Sequence, residues 1–244
     1  MTKKSKSFRP RINTKQLRRA YENMTNGELR VLEIGDLHEP FCLDGYLQFC
    51  KRVYEIYNCN KVVFIGDIID NHYSSYHETD PNGMGGLDEL EFAINRISRW
   101  YKAFPEADVL IGNHDRMVSR KAQTSKIPRK WIKSYQEVLE VPKWNFCERI
   151  VYENVQYVHG EGGTARVKCR QDGMSTVQGH LHSDMYTYWM HGVNDKVFGK
   201  QIGCGIDFTK YAFNYAKAGR RPALGCGVTI GGHTTINVPY NPNL

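Results

Sequence analysis

Residues 108–115 read DVLIGNHD, a short apolar run that stops at a glycine and three polar residues. Two earlier stretches have the same construction, since residues 30–36 read RVLEIGD and residues 61–67 read KVVFIGD. Each run is four to five residues long and stops at a turn former, which is typical of a buried strand. We therefore predict strands at Arg30–Ile34, Lys61–Ile65 and Asp108–Ile111.

Helical patterns fill the gaps between these strands. Asp44 is a candidate N-cap for a first helix, and a third helix is expected at about Lys130–Glu140, with Trp131 facing inward. In the second helix, apolar residues step by three or four until Pro105, at Leu87, Leu90, Ile94, Ile97, Tyr101 and Phe104. Strand–helix–strand alternation predicts a parallel sheet.

The pattern changes from Arg149 onward. Short β-rich runs separated by glycines appear at residues 150–158, 175–178, 197–202, 226–230 and 234–238. No strong helical pattern is visible among them. We therefore expect a second group of strands in the last third of the chain.

The positive charge of the chain is concentrated at its N-terminus. The chain has 244 residues and a net charge of +7, yet residues 1–19 alone hold eight basic side chains and no acidic one. We predict a basic arm at residues 1–22 and one domain at residues 23–244. The arm suits either contact with nucleic acid or an ordinary solvated terminus.

The cysteines and the hydropathy limit where the protein works. Seven cysteines are scattered without a C-x-x-C pair, which argues against a disulfide framework and a zinc ribbon. No stretch approaches 18 apolar residues, and the N-terminus lacks the apolar region of an export signal. These features predict a cytoplasmic protein without a membrane partner, compatible with a phage or bacterial setting.

Polar motifs follow several of the predicted strands. In open α/β sheets, ligands bind outside the carboxyl ends of the strands. The motifs supply carboxylate, imidazole and amide groups, which suit borderline divalent ions. Seven candidate ligands are too many for one ion, so we expect two ions, about 3.5–4 Å apart. The motifs are DLH at residues 36–38, GDIID at 66–70, GNHD at 112–115, VHG at 158–160 and GHLH at 179–182.

The ordered set Asp-x-His, Gly-Asp-x-x-Asp, Gly-Asn-His-Asp, a lone His and Gly-His-x-His resembles the calcineurin-like metallophosphoesterase superfamily, over residues 30–182. The resemblance implies an α/β fold of two packed mixed sheets flanked by helices, in a single domain. It also implies two ligand sets that share Asp67. One set is Asp36, His38, Asp67 and His182, and the other is Asp67, Asn113, His159 and His180.

The resemblance further implies roles for three residues that are not ligands. A metal-bound hydroxide would attack phosphorus while His114 assists the leaving group. Asp115 would orient the His114 ring, and Asp70 would support a ligand. The expected cofactors are two divalent ions, with Mn²⁺ first and Fe²⁺, Zn²⁺ and Ni²⁺ as alternatives.

The motifs define the reaction better than the substrate. Protein Ser/Thr phosphatases of this superfamily carry Arg-Gly where this chain has Asn71-His72, and Glu where it has Asp115. The Asp form is similar to the phosphodiesterase and nuclease branches. Three hypotheses remain: a phosphodiesterase or nuclease with nucleic acid as substrate, a small-molecule phosphatase or phosphodiesterase, and a metal-bound scaffold without turnover.

Candidate substrate contacts lie near these motifs. His72 and His77, in the long loop after Asp70, would either reach the substrate or lie in solvent. Arg116 would bind a phosphate or remain on the surface. A basic run at Lys210, Lys217, Arg220 and Arg221 suits either a substrate groove or a solvated hairpin. The sequence is silent on oligomeric state.

Overall fold

The structure is a computed structural model that describes residues 27–76, 79–193, 196–216 and 220–244. The basic arm predicted at residues 1–22 lies outside the described residues. The same holds for His77 and Lys217, two of the residues considered as substrate contacts.

Eleven strands and five α-helices make up the regular structure of the described chain. The strands are β1 (Arg30–Ile34), β2 (Lys61–Phe64), β3 (Asp108–Leu110), β4 (Asn145–Cys147), β5 (Arg149–Tyr152), β6 (Val155–Val158), β7 (Ser175–Gln178), β8 (Tyr186–His191), β9 (Lys196–Gln201), β10 (Gly225–Ile230) and β11 (Thr234–Pro239). The helices are α1 (Tyr46–Ile56), α2 (Gly86–Ala103), α3 (Met117–Thr124), α4 (Tyr135–Val138) and α5 (Ala165–Asp172). Short 3₁₀ turns occur at His72–Ser74, Arg129–Trp131 and Tyr211–Ala216.

The strands form two mixed sheets. The six-stranded sheet has the order β11-β10-β1-β2-β3-β4, with β1 to β4 parallel, β10 antiparallel to β1 and β11 antiparallel to β10. The five-stranded sheet has the order β5-β6-β7-β9-β8, with parallel strands in the centre and antiparallel strands at both edges. This confirms the predicted α/β architecture, including the second group of strands.

Alternation along β1 explains the layers. Leu32 and Ile34 pack into the core that the six-stranded sheet shares with α1 and α2. Val31 points the opposite way, into a second core that contains Val177 and Phe198 of the five-stranded sheet. Side chains of a strand point alternately to its two faces, so β1 is buried on both. α5 covers the far side of the five-stranded sheet, where its Ala165 backbone approaches Gly199 closely.

Two of the three helix predictions need correction in detail. Asp44 does not cap α1, because the N-cap residue is Gly45 and the Asp44 carboxylate accepts a hydrogen bond from Arg96. In α2 the buried face is rotated, so that Leu87 is 68% exposed whereas Arg96 is buried. Arg96 is buried because it pairs with the buried carboxylate of Glu39 at 2.5 Å, an attraction that hydrophobic periodicity does not register.

The third predicted helix and the prediction for the last third of the chain are also wrong in part. The segment 130–140 contains only a 3₁₀ turn and the four residues of α4, and Trp131 is 81% exposed instead of facing inward. α5 is a helix that the sequence analysis missed. Its N-cap Thr164 accepts a hydrogen bond from Val167, and Gly173 ends it in a left-handed conformation.

No helix in the described part of the chain combines the length and the apolar character needed to cross a lipid bilayer.

Candidate metal centre

Loops from both sheets meet at one end of the molecule. β1, β2 and β3 lead into Asp36, Asp67 and Asn113, while β6 and β7 lead into His159 and His180. The loops touch directly, because the backbone N–H of His180 lies 3.1 Å from each carboxylate oxygen of Asp36. The carboxyl ends of strands in two different sheets therefore form one site, as the sequence predicts.

The backbone turns sharply where these side chains begin. Four of them lie on residues with positive φ, namely Asp36 (22°), His38 (48°), Asp67 (48°) and His180 (69°). Non-glycine residues adopt this region rarely, and each such residue costs about 1–3 kcal/mol. The concentration of this strain at one place is typical of a functional site.

Two glycines allow the loops to approach. Gly66 has φ of 90°, and a Cβ atom there would lie 2.6 Å from Nδ1 of His159. A Cβ atom on Gly112 would overlap the carboxylate of Asp67. Any larger residue would push the carboxylate and the imidazole out of the cluster.

The first group of candidate ligands is Asp36, His38, Asp67 and His182, whose ligand atoms all lie within 4.8 Å of one another. Nε2 of His38 lies 3.1 Å from Nε2 of His182 and 3.6 Å from Oδ2 of Asp67. Nε2 of His182 lies 3.8 Å from Oδ1 of Asp36. The structure thus brings together the first of the two sets that the resemblance implies.

The second group contains Asp67, His159 and His180. Nε2 of His159 lies 3.0 Å from Oδ1 of Asn113 and 3.2 Å from Oδ2 of Asp67. The second set is therefore also assembled, and Asp67 lies between the two groups.

The protons on the imidazoles leave an imbalance inside the cluster. Nδ1 of His38 lies 2.6 Å from a carboxylate oxygen of Asp70, and Nδ1 of His159 lies 2.8 Å from the carbonyl oxygen of Ile65. Both Nδ1 atoms must donate, because their neighbours only accept. In a neutral ring Nε2 would point a lone pair at other acceptors, so either a second proton on Nε2 or a cation must separate them. The acceptors facing Nε2 of His159 belong to Asn113 and Asp67.

The pKa values of the buried groups reflect the same concentration of carboxylates. Burial raises the pKa of Asp36 to about 7. Burial opposes a charged ring at His159, but the carboxylates of Asp67 and Asp36 outweigh it and raise its pKa to about 10. The pKa of His38 rises to about 9 in the same way, through Asp70, Asp67 and Asp36. The cluster attracts a cation, and its oxygen and nitrogen donors fit the borderline divalent ions.

The residue that contacts the His114 ring is not the one predicted. Asp115 does not orient the His114 ring, because its carboxylate accepts hydrogen bonds from the backbone N–H groups of residues 67, 68, 69 and 112. Asp70 takes that place, with its carbonyl oxygen 2.6 Å and its Oδ1 atom 3.4 Å from Nδ1 of His114. Asp70 thereby contacts His114 and His38 together.

A cavity of about 340 Å³ opens onto this cluster. It is lined by Asp67, Tyr76, Asn113, His114, Met117, Arg120, His180 and His182. Because Nδ1 of His114 is engaged by Asp70, Nε2 is the ring nitrogen available to a bound molecule. Burial, together with the nearby His38 ring, lowers the pKa of His114.

Two lining residues were missed by the sequence analysis. The guanidinium of Arg120 lies 5.2 Å from the ring centre of Tyr76, so a cation and an aromatic ring stand together at the cavity. Arg120 lies one helical turn after Arg116, and Tyr76 lies in the long loop after Asp70. Both are therefore close in sequence to residues predicted as substrate contacts.

The two predicted substrate contacts are placed elsewhere. His72 is buried, and its Nε2 accepts a hydrogen bond from the backbone of Asp80, which contradicts both a substrate contact and an exposed position. Arg116 pairs with Glu161 at 2.8 Å and Glu148 at 3.2 Å, and it does not line the cavity at the cluster. Arg116 instead lines an adjacent cavity together with His159, so its prediction as a phosphate contact stays a prediction.

The described part of the later basic run makes ion pairs. Lys210 pairs with Asp207 at 3.6 Å, and Arg220 pairs with Asp184 at 3.7 Å.

Comparison with known proteins gives one family and several distant structures. The model of a family described as calcineurin-like phosphoesterase matches residues 29–210. No curated protein matches the chain. Among solved structures, the chain is similar to Vacuolar Protein Sorting 29 from Cryptosporidium parvum, at 12% identity and a TM-score of 0.45, over 87% of this chain and 98% of that one.

Two further solved structures show the same distant likeness. The nuclease MPE of Pseudomonas putida is 16% identical with a TM-score of 0.38, over 85% of this chain and 87% of that one. The phosphoesterase YfcE of E. coli is 13% identical with a TM-score of 0.40, over 85% of this chain and 98% of that one. All three TM-scores lie below 0.5, and nothing about function is drawn from them.

Proposed function

The chain belongs to the calcineurin-like phosphoesterase family, and we propose that it hydrolyses phosphodiesters at a centre that holds two divalent metal ions. A single observation carries the proposal. Nδ1 of His38 and Nδ1 of His159 each donate a hydrogen bond to an oxygen atom. Nε2 of each ring therefore faces other buried acceptors, and Asp67 belongs to both groups of candidate ligands.

Two ions fit the arrangement better than one. Asp67 directs Oδ2 toward both sides, at 3.2 Å from Nε2 of His159 and 3.6 Å from Nε2 of His38. One ion would be held by Asp36, His38, Asp67 and His182, and the other by Asp67, Asn113, His159 and His180. Mixed nitrogen and oxygen ligands favour Mn²⁺, Fe²⁺, Zn²⁺ or Ni²⁺ over Mg²⁺ or Ca²⁺. We place Mn²⁺ first.

The ions and the chain supply different parts of the chemistry. Bound divalent ions polarise a phosphoryl oxygen and lower the pKa of water to about 7. Because Nδ1 already donates to Asp70, the charged form of the His114 ring would direct an Nε2–H into the cavity and give that proton to the leaving oxygen. Asp70 holds the rings of His114 and His38 in fixed orientations through its carbonyl and carboxylate oxygens.

A diester substrate suits the cavity because cationic and aromatic groups stand at its margin. Arg120 and Tyr76 can contact the part of a substrate that extends beyond the reacting phosphorus. A monoester substrate would instead place two or three charged oxygens near the carboxylates of the cluster.

Mn²⁺-dependent hydrolysis of bis-p-nitrophenyl phosphate, compared with p-nitrophenyl phosphate, tests the proposal. We expect the diester to be cleaved with the higher kcat/KM, and elemental analysis to find two ions per chain. Preferential cleavage of the monoester would favour a small-molecule phosphatase. Two bound ions without turnover of any phosphoester would overturn catalysis and favour a scaffold.

A further inference from the structure

A strongly basic segment begins beside the metal centre. Residues 116–136 contain seven basic residues and no acidic one. Six of the seven side chains are exposed, and among the described residues none of the six forms an ion pair with a carboxylate. The six are Arg120, Lys121, Lys126, Arg129, Lys130 and Lys133. Cations without a carboxylate partner in the described part of the chain are available to an external anion.

The same segment exposes apolar and aromatic surface. Trp131 is 81% exposed, and Val118, Ile127 and Ile132 are each at least 36% exposed. They line a groove of about 690 Å³, together with Tyr135 and Leu139. We call this surface, formed by residues 116–135, the basic groove. Burial of an exposed tryptophan against a partner is favourable, so the groove is a candidate binding surface.

The basic groove is continuous with the cavity at the metal centre. Arg120 lines both, and the ring of Tyr76 lies 5.2 Å from Arg120 and 5.4 Å from Nζ of Lys121. A molecule with its reacting phosphorus in the cavity can therefore extend over Arg120 into the groove. This continuity argues for an elongated polyanion rather than for an unrelated partner.

We propose that the basic groove binds single-stranded nucleic acid, with cations on the phosphates and Trp131 stacked on a base. The proposal rests on the phosphodiesterase function proposed above, and it adds the class of substrate. Alternating phosphates and bases match a surface that interleaves cations with an exposed indole. A duplex would hide its bases from Trp131, whereas a single strand offers them.

Binding is measured with the full chain in Mn²⁺, by fluorescence anisotropy of a labelled 20-nucleotide phosphorothioate strand that resists hydrolysis. We expect Trp131→Ala to weaken binding about tenfold, within the range measured for base stacking. Phe92→Ala removes another exposed aromatic ring that does not line the groove, and we expect a change below about twofold.

The phosphate contacts are tested by the dependence of binding on salt. Neutralising Arg120, Arg129 and Lys133, which line the groove, together with glutamine should reduce the slope of log K against log salt by about 2, since each contact to a single strand contributes about 0.7. The matched control neutralises Lys51, Arg52 and Lys102, which do not line the groove, and should leave the slope unchanged. The basic arm is present in every variant, so differences report on the groove.

Several outcomes would overturn the inference. Both groove variants could bind as the wild type does, duplex could bind as tightly as single strand, or polyglutamate could compete as well as the oligonucleotide. Failure of the proposed function would look different. In that case the groove variants would lose affinity for the strand, while the wild type would leave bis-p-nitrophenyl phosphate intact.

Discussion

Two groups of buried charges in this protein differ in how they are balanced. The first lies between the two sheets, where Nζ of Lys200 on β9 contacts Oε2 of Glu33 on β1 at 2.6 Å. Both side chains are fully buried, and Thr229 donates to Glu33 at 2.5 Å while Lys200 donates to the Val228 carbonyl oxygen at 2.9 Å. Each charge finds its counterpart within the chain.

The second group is the candidate metal centre, where the carboxylates are balanced only by imidazoles that hold protons. Asp36 and Asp67 are as deeply buried as Glu33, but the groups around them are imidazoles with Nδ1 protons already used elsewhere. Burial acts on both groups alike, since it raises the pKa of Glu33 and of Asp36 and lowers that of Lys200. The difference teaches that burial of charge alone does not indicate function. Buried carboxylates that converge with imidazoles, a set that can exchange its protons for a cation, do indicate function.

Replacement of Asp67 gives the largest expected effect. Asp67→Ala removes the side chain shared by both ligand groups, so we expect both ions to be lost and kcat to fall on the order of 10⁴-fold. Metal content by elemental analysis and diester turnover measure the two effects. Asp88→Ala, an exposed carboxylate on α2, is the control. An undiminished metal count would contradict a shared ligand.

Breaking the pair between the sheets should act on stability instead. Lys200→Met leaves Glu33 buried without a partner, and we expect the free energy of unfolding to fall by about 3–5 kcal/mol. Thermal unfolding should show a midpoint lower by about 10 °C. Lys196→Met, an exposed position on the same strand, should change stability by less than about 1 kcal/mol.

The double variant Glu33→Met with Lys200→Met sharpens this test. Replacing both charges removes the unpaired carboxylate, so we expect most of the lost stability to return. A double variant no more stable than Lys200→Met would show that the pair contributes more to the free energy of unfolding than the mutual neutralisation of its two charges.

His114 separates catalysis from metal binding within the second group. We expect His114→Ala to retain two ions and to lose about 10²- to 10³-fold in kcat, the usual range for an acid catalyst. His233→Ala, an exposed histidine, should leave both quantities unchanged. Loss of metal from His114→Ala would identify His114 as a ligand.

Asp70 gives the smallest expected effect. Asp70→Asn keeps an oxygen near Nδ1 of His38 but removes its charge, so we expect metal affinity to fall about 10- to 100-fold. Titration of the metal-free protein with Mn²⁺ measures the change, with Asp172→Asn as a control on α5. Unchanged affinity would contradict a supporting role.

Much of the metal centre could be predicted because its signals are local. The first candidate ligand of each motif lies within two residues of the end of a predicted strand, and the parallel order of β1, β2 and β3 brings the strand ends together. The residue that contacts the His114 ring could not be predicted in the same way. Asp115 is adjacent in sequence, but its carboxylate turns toward the N–H groups of the loop after β2, and Asp70 reaches His114 from 44 residues away.

The errors in the helices have physical causes as well. The buried face of α2 includes Glu89, Ala93 and Arg96, because Glu89 accepts the backbone N–H of His72 and Arg96 pairs with Glu39. Apolar spacing cannot indicate a face that is buried through polar contacts. α5 was missed because only Ala165 and Cys169 are buried, although Thr164 and Gly173 are ordinary helix-end residues.

The position of β1 has a consequence for how the chain is made. Arg30 pairs with Ile230, so one neighbour of the first strand is synthesised 200 residues later. At about 5–20 residues per second, that delay lasts about 10–40 s. During this interval one edge of β1 has no partner strand, and Glu33 lacks its partners Lys200 and Thr229. His182, the last of the candidate metal ligands, leaves the ribosome before the six-stranded sheet can close, so all the residues of the candidate metal centre exist before β10 does.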